Sequence, residues 1–306
     1  MAAYPIVQPL SRSRRSVYFI GLLTVFIVAL PFLYLYATGY RFDGSTTLVS
    51  TGGVYVAVPH SGTEIYIDGE LIRETGAFRR AFYIQDLDPG MYTIEVRKEL
   101  HHVWQKELEV FPQIVTEARA FTLPNEIARE EIPKTFVIET ASGTTTPIAN
   151  PRYEEVLDFF TATTTALSVP EEILVSTLDK NEIDVQIATS TRESGGMQLA
   201  RSDVGVIASW TRSVESVPFY FCIPHGACID EIIVGPPEKE ILYFDFVPGD
   251  NNLVLLALEE GVYVSEIDAR DVQNIQPVAV GENIDVRVRD GVVYIREGDK
   301  LFEVTL

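Results

Sequence analysis

Apolar and polar residues alternate along this chain in three distinct ways, and each predicts a different kind of element. The first is no alternation at all: Val17 to Ala37 (VYFIGLLTVFIVALPFLYLYA) carries no charged residue. As a helix at ~1.5 Å per residue the run reaches about 31 Å, roughly the hydrocarbon thickness of a bilayer. Pro31 interrupts it without excluding it, because transmembrane helices tolerate proline. A single transmembrane helix is therefore expected over residues 17–37. A cleavable signal peptide is the other reading, since Ala37-Thr38-Gly39 has small-x-small character. The run is longer than the ~7–15 residues of a usual signal core, and bulky Tyr36 sits between the small positions and that core. Either way, the chain beyond residue 40 is exported.

The second regime is a period of two. Tyr92, Ile94 and Val96 alternate with Thr93, Glu95 and Arg97. Trp104, Leu108 and Val110 alternate with Gln105, Glu107 and Glu109, the pattern of strands with one buried face. Turn residues punctuate these runs: Asp68-Gly69 between Ile65-Tyr66-Ile67 and Leu71-Ile72, and Leu87-Asp88-Pro89-Gly90 before Tyr92. Further along, β-rich runs are expected at 183–187, 204–210, 219–223, 229–234, 242–247, 253–258, 262–267, 284–288, 292–295 and 301–306. Glu260-Gly261 and Asp290-Gly291 stand as turns between them. Turn signals recurring about every 8–12 residues argue for antiparallel all-β structure.

The third regime buries little. Between 124 and 170, Pro124, Pro133, Pro147, Pro151 and Pro170 punctuate a Thr- and Ser-rich stretch that reads as linker. One short helix is expected inside it over 151–160. Asn150 would cap it, Pro151 would open it, and Tyr153, Val156, Leu157 and Phe160 would form its apolar stripe.

Two segments resemble known families. Pro59-His60-Ser61-Gly62-Thr63, then Ile65-Tyr66-Ile67-Asp68-Gly69, Thr75, Leu87-x-Pro89-Gly90-x-Tyr92 and Trp104 resemble the PEGA domain. His60 and Ser61 depart from its eponymous tetrapeptide, and Leu100-His101 stands where Gly-Tyr is usual. The resemblance implies a small non-catalytic β-sandwich over residues 48–123, of the kind found on surface-associated bacterial proteins. Phe244 to Leu255, continuing into Gly261-Val262-Tyr263-Val264, resembles a β-propeller blade, with Pro248-Gly249-Asp250 at its turn. Blades need ~40 residues and a closed ring typically at least four of them, so residues 171–306 supply about three. An incomplete propeller-like antiparallel domain is expected there, with a plain β-sandwich as the alternative. The expected fold is thus mainly β: a cytoplasmic basic tail over 1–16, one membrane helix, a PEGA-like sandwich, a linker and a propeller-like domain.

Charge orients this plan. Arg12, Arg14 and Arg15 precede the apolar run, and no Asp or Glu occurs in the first 40 residues. The positive-inside rule keeps the N-terminus in the cytoplasm and places the rest outside the plasma membrane. The net charge of the chain is −20, and those arginines supply +3 of it, so the remainder carries −23. So acidic a surface repels nucleic acid and anionic headgroups.

Candidate chemistry is sparse. Cys222 and Cys228 are the two cysteines, and outside the cytoplasm they form a candidate disulfide. The four histidines, His60, His101, His102 and His225, follow no metalloprotease spacing, and no metal or other cofactor is expected. No Walker loop or nucleophile elbow occurs. Carboxylate pairs such as Asp245 with Asp250, or Asp268 with Asp271, are what a glycosidase would need, yet such pairs are common in a chain with 44 acidic residues. Asp250-Asn251-Asn252 reads as a turn rather than a calcium loop. The expected function is a non-enzymatic, single-pass envelope protein that presents β-modules for protein or glycan binding or for scaffolding. An exported hydrolase with a carboxylate site hidden from sequence is the alternative.

Overall fold

The computed structural model describes residues 11–42, 47–139, 145–167, 191–213, 216–222 and 226–306. The strand expected at 183–187 lies outside them, as does His225. The fold is mainly β with one long apolar N-terminal helix.

That helix, α1 (Arg12–Ala37), takes in the three arginines as its first turn. None of its residues is buried, and Val17, Leu22, Phe26 and Leu33 are each more than 60% exposed. Thr24 and the capping Thr38 return their hydroxyls to carbonyls four residues back. By length and composition the helix is a candidate membrane span, and a signal sequence has the same character.

After α1 come β1 (Tyr40–Phe42), β2 (Leu48–Ser50), β3 (Gly52–Ala57), β4 (Glu64–Ile67), β5 (Glu70–Glu74), β6 (Ala81–Leu87), β7 (Gly90–Arg97), β8 (Trp104–Val110) and β9 (Val115–Arg119). β1 and β2 pair as a hairpin, β6-β3-β9 form a three-stranded sheet, and β5-β4-β7-β8 a four-stranded one. Asp68 and Gly69 both adopt positive φ at the β4–β5 turn. The chain divides into two compact units. One comprises residues 1–56, 82–91 and 109–118, and the other 57–81, 92–108 and 119–306.

The segment expected to be linker carries strands: β10 (Arg129–Ile132), β11 (Thr135–Glu139) and β12 (Thr145–Ala149) precede α2 (Pro151–Leu167). β11 and β12 form a hairpin, and β10 pairs antiparallel with the last strand of the chain. α2 begins where expected: the Asn150 side chain accepts from the Arg152 N–H at 3.0 Å, and Pro151 takes the first helical position. It runs past 160 through the threonines, because a nucleated helix adds a hydrogen bond with each further residue.

The remaining strands are β13 (Arg192–Ser194), β14 (Met197–Ser202), β15 (Gly205–Trp210), β16 (Glu231–Val234), β17 (Tyr243–Val247), β18 (Asp250–Leu258), β19 (Gly261–Glu266), β20 (Ile275–Val280), β21 (Ile284–Arg289), β22 (Val292–Glu297) and β23 (Lys300–Val304). They build three antiparallel four-stranded sheets, β13-β14-β15-β16, β17-β18-β19-β20 and β10-β23-β22-β21. No closed ring of blades occurs among the described residues. One apolar cluster joins the first two sheets, with Leu199 and Val206 meeting Phe244, Val254 and Leu256. A second joins Ile132, Leu301, Tyr153, Val156 and Phe160, which seats α2 on the third sheet. At the β18–β19 turn Gly261 holds φ +142, and a Cβ there would stand 2.2 Å from the Ala279 carbonyl. Only glycine lets β20 approach so closely.

The run 219–223, expected as a strand, is a 3-10 turn at Phe219–Phe221. Tyr220 and Phe221 are both buried, and adjacent residues of a strand point to opposite faces. Winding the backbone puts both rings into one core.

Candidate ligand-binding site

Cys222 and Cys228 are joined by a disulfide. It closes the loop between the buried 3-10 turn and the segment leading to β16, where Ile229 N–H bonds to the Phe221 carbonyl. Beside it lies a pocket of about 360 Å³ lined by Trp210, Arg212, Val217, Cys228, Ile229 and Asp230. Trp210 ends β15 and packs partly buried against the core cluster. Its only polar atom, Nε1, donates to the Ser213 carbonyl at 3.2 Å. Arg212 runs over Gly196, whose φ of +95 and missing Cβ leave room for it; a Cβ would meet its side chain at 2.6 Å. Val217 also packs against the cluster. The pocket therefore has an apolar wall supported from behind and two exposed opposite charges at its rim.

A second polar group is enclosed rather than open. The alternation along β8 places Lys106 on the buried face, between Trp104 and Leu108, with no solvent exposure. Its Nζ lies 2.7 Å from Glu266 Oε1 and 3.7 Å from Asp268 Oδ1, and donates to the Asp268 carbonyl at 2.7 Å. Glu266 also accepts from Trp104 Nε1 at 2.9 Å and from both the N–H and Nδ2 of Asn274 at 2.8 Å. Arg270 engages Asp268 through Nε and Nη2. Two positive and two negative charges cancel with their hydrogen bonds filled, which is what a buried ionic group requires. Asn274 and Asp271 continue the link by bonding the backbone of Gln105 and Glu107, and Gln276 bonds that of Phe121 and Leu123. This network pins β8 and residues 121–123 to the β17–β20 sheet. Lys106 was invisible to a reading that counted only apolar residues on that face, although its place in the strict alternation marked it.

Inward strand positions carry a third cluster. Arg192 Nε meets Asp245 Oδ2 at 3.1 Å, and Tyr243 donates to the same oxygen at 2.9 Å. Arg287 lies over the Tyr243 ring at 4.8 Å and the Phe160 ring at 5.2 Å. Burial, then the negative Asp245, pushes the Tyr243 phenol up to about 12. Burial likewise pushes Tyr220 up, with Asp268 adding to it, and its hydroxyl donates to Asn252 at 2.9 Å.

The carboxylate pairs that could serve a glycosidase have other occupations. Asp245 is engaged by Arg192 and Tyr243, Asp250 accepts from Asn252, Asp268 is held by Lys106 and Arg270, and Asp271 accepts from Glu107 N–H. His60 and His101 stack edge to face at 5.5 Å, and burial together with the positive Lys98 lowers the His60 pKa. Among the described residues, no group of three His, Cys, Asp or Glu side chains is placed to hold a metal. Arg12, Arg14 and Arg15 remain exposed at the start of α1. No protein-family model matches the chain, and no curated protein is similar to it.

Proposed function

We propose that this protein is a non-enzymatic, single-pass envelope protein, anchored by α1 with its N-terminus in the cytoplasm and its β-modules outside the plasma membrane. The observation that carries this reading is the absence of any buried residue in α1: an apolar helix exposed in this way is suited to lipid as its solvent. The arginines at its start favour the cytoplasmic side for that end. The Cys222–Cys228 bridge is in keeping with an oxidising compartment for the remainder. On this reading the strands from β3 to β9 are a PEGA-like module, and the three four-stranded sheets are an open propeller-like module. Both serve to bind envelope proteins or glycans. The enclosure of Lys106 and the engagement of the aspartates support the non-enzymatic reading.

Protease added to intact cells tests the topology. Digestion of the C-terminal bulk with protection of a tag at residue 1 is the expected result. Loss of the tag with survival of the bulk would reverse the orientation and remove the proposed role.

A further inference from the structure

We propose that the Trp210 pocket is a carbohydrate subsite that receives a neutral pyranose ring. The inference deepens the binding role above and rests on it only for where the sugar is met. Three features of the pocket select this ligand class. Its Trp210 wall offers only apolar surface, because the single indole N–H is committed to Ser213. The C–H face of a pyranose is the complement of such a surface. At the rim, Arg212 and Asp230 make no hydrogen bond or ion pair with any described residue. The guanidinium only donates and the carboxylate only accepts, so together they ask for a ligand that does both. Sugar hydroxyls do both. Because the two charges cancel, an anion or a cation is attracted by one and repelled by the other. A wholly apolar ligand would strip water from both charges without replacing it.

Size and rigidity agree with this choice. A volume of 360 Å³ stands near the small end of the ~300–1,000 Å³ range of ligand pockets, which suits a short saccharide. The backbone of the walls is tied down before any ligand arrives. The disulfide holds Cys228 and the adjoining Ile229-Asp230 to the buried Phe219–Phe221 turn. Gly196 leaves the space in which Arg212 lies. A cross-linked backbone lowers the ordering cost that weakens binding by mobile loops.

The test uses the full chain in a detergent without a sugar headgroup, titrated with cellotetraose and, separately, chitotetraose. Of the two tryptophans, Trp104 has no exposed surface, so a sugar-dependent change in emission or acrylamide quenching reads Trp210. A saturable change with at least one of them is expected by about 10 mM, a concentration that fills even a millimolar site. Asp230→Asn and Arg212→Gln, both at exposed positions, should each weaken binding roughly tenfold, as loss of a charged hydrogen bond does, with far-UV circular dichroism unchanged. No saturable change with either sugar overturns the proposal, as does unaltered affinity in both variants. Saturation by glycylglycine but by neither sugar would also overturn it, because the two charges would then serve a zwitterion. The measurement is independent of membrane orientation. A failed titration leaves the anchored topology standing, and a reversed topology leaves a sugar pocket facing the other compartment.

Discussion

Lys106 shows how much one side chain can carry when its surroundings are complete. It has no exposed surface and sits between two carboxylates that are themselves fully bonded. Replacing such a group removes the partner without removing the charge it balanced. Lys106→Met should therefore destabilise the protein by about 3–5 kcal/mol in chemical denaturation. Adding Glu266→Gln should recover part of that loss, since the uncompensated negative charge goes with it. Tyr243 makes a statement about pH. Its pKa is raised to about 12, from an ordinary value near 10, chiefly by burial. Between those values the unfolded chain releases the phenolic proton and the folded one keeps it. Stability from this residue is thus complete below pH 10, falls as pH rises and is gone above 12, a loss of about 2–3 kcal/mol. Tyr243→Phe should flatten that part of the pH profile of the unfolding midpoint, while the raised Tyr220 leaves a remainder.

Elements differ in how plainly their sequence announces them. β8 alternates in burial over its whole length and β7 from Thr93 onward, and apart from Lys106 both are legible from their apolar positions. β10, Arg-Glu-Glu-Ile, has one buried residue and three exposed charged ones, and no periodicity betrays it. It is a strand because β23 offers an unpaired edge, and its charges suit the outer position, where they discourage further pairing. α2 was legible through its cap and its stripe. The surface it would dock on was not, because Ile132 and Leu301 lie far apart in sequence. Phe160 is fully buried there, with the guanidinium groups of Arg287 and Arg296 over its ring at 5.2 and 5.1 Å. Phe160→Ala should cost about 3–5 kcal/mol, read as a lowered urea midpoint. A loss well under 1 kcal/mol would mean that α2 does not depend on this seat.

At the scale of the whole molecule, charge and hydropathy are segregated along the chain. The apolar helix and its arginines come first, ahead of a remainder carrying −23. On the proposed topology the acidic part faces away from the anionic cytoplasmic leaflet, so electrostatics and hydrophobic burial act in the same sense. The protease experiment reads this scale directly, since it asks which end of the chain is accessible. The third four-stranded sheet joins β21–β23 to a strand from before α2, so its pairing spans most of the second unit. Long-range pairing of that kind is slow to form and is not encoded in any short window of sequence.

Local chemistry was enough to specify the apolar helix, the Asp68-Gly69 and Asp290-Gly291 hairpins, the start of α2 and the mainly β character, because each depends on neighbours a few residues away. Tertiary structure alone decided which carboxylates receive Lys106, that β10 completes the last sheet, that Phe219–Phe221 winds into a turn, and that Trp210, Arg212 and Asp230 share one pocket. Those outcomes depend on which distant groups arrive at the same place. A sequence lists its donors, acceptors and apolar surfaces, but their partners are chosen only when the chain closes on itself.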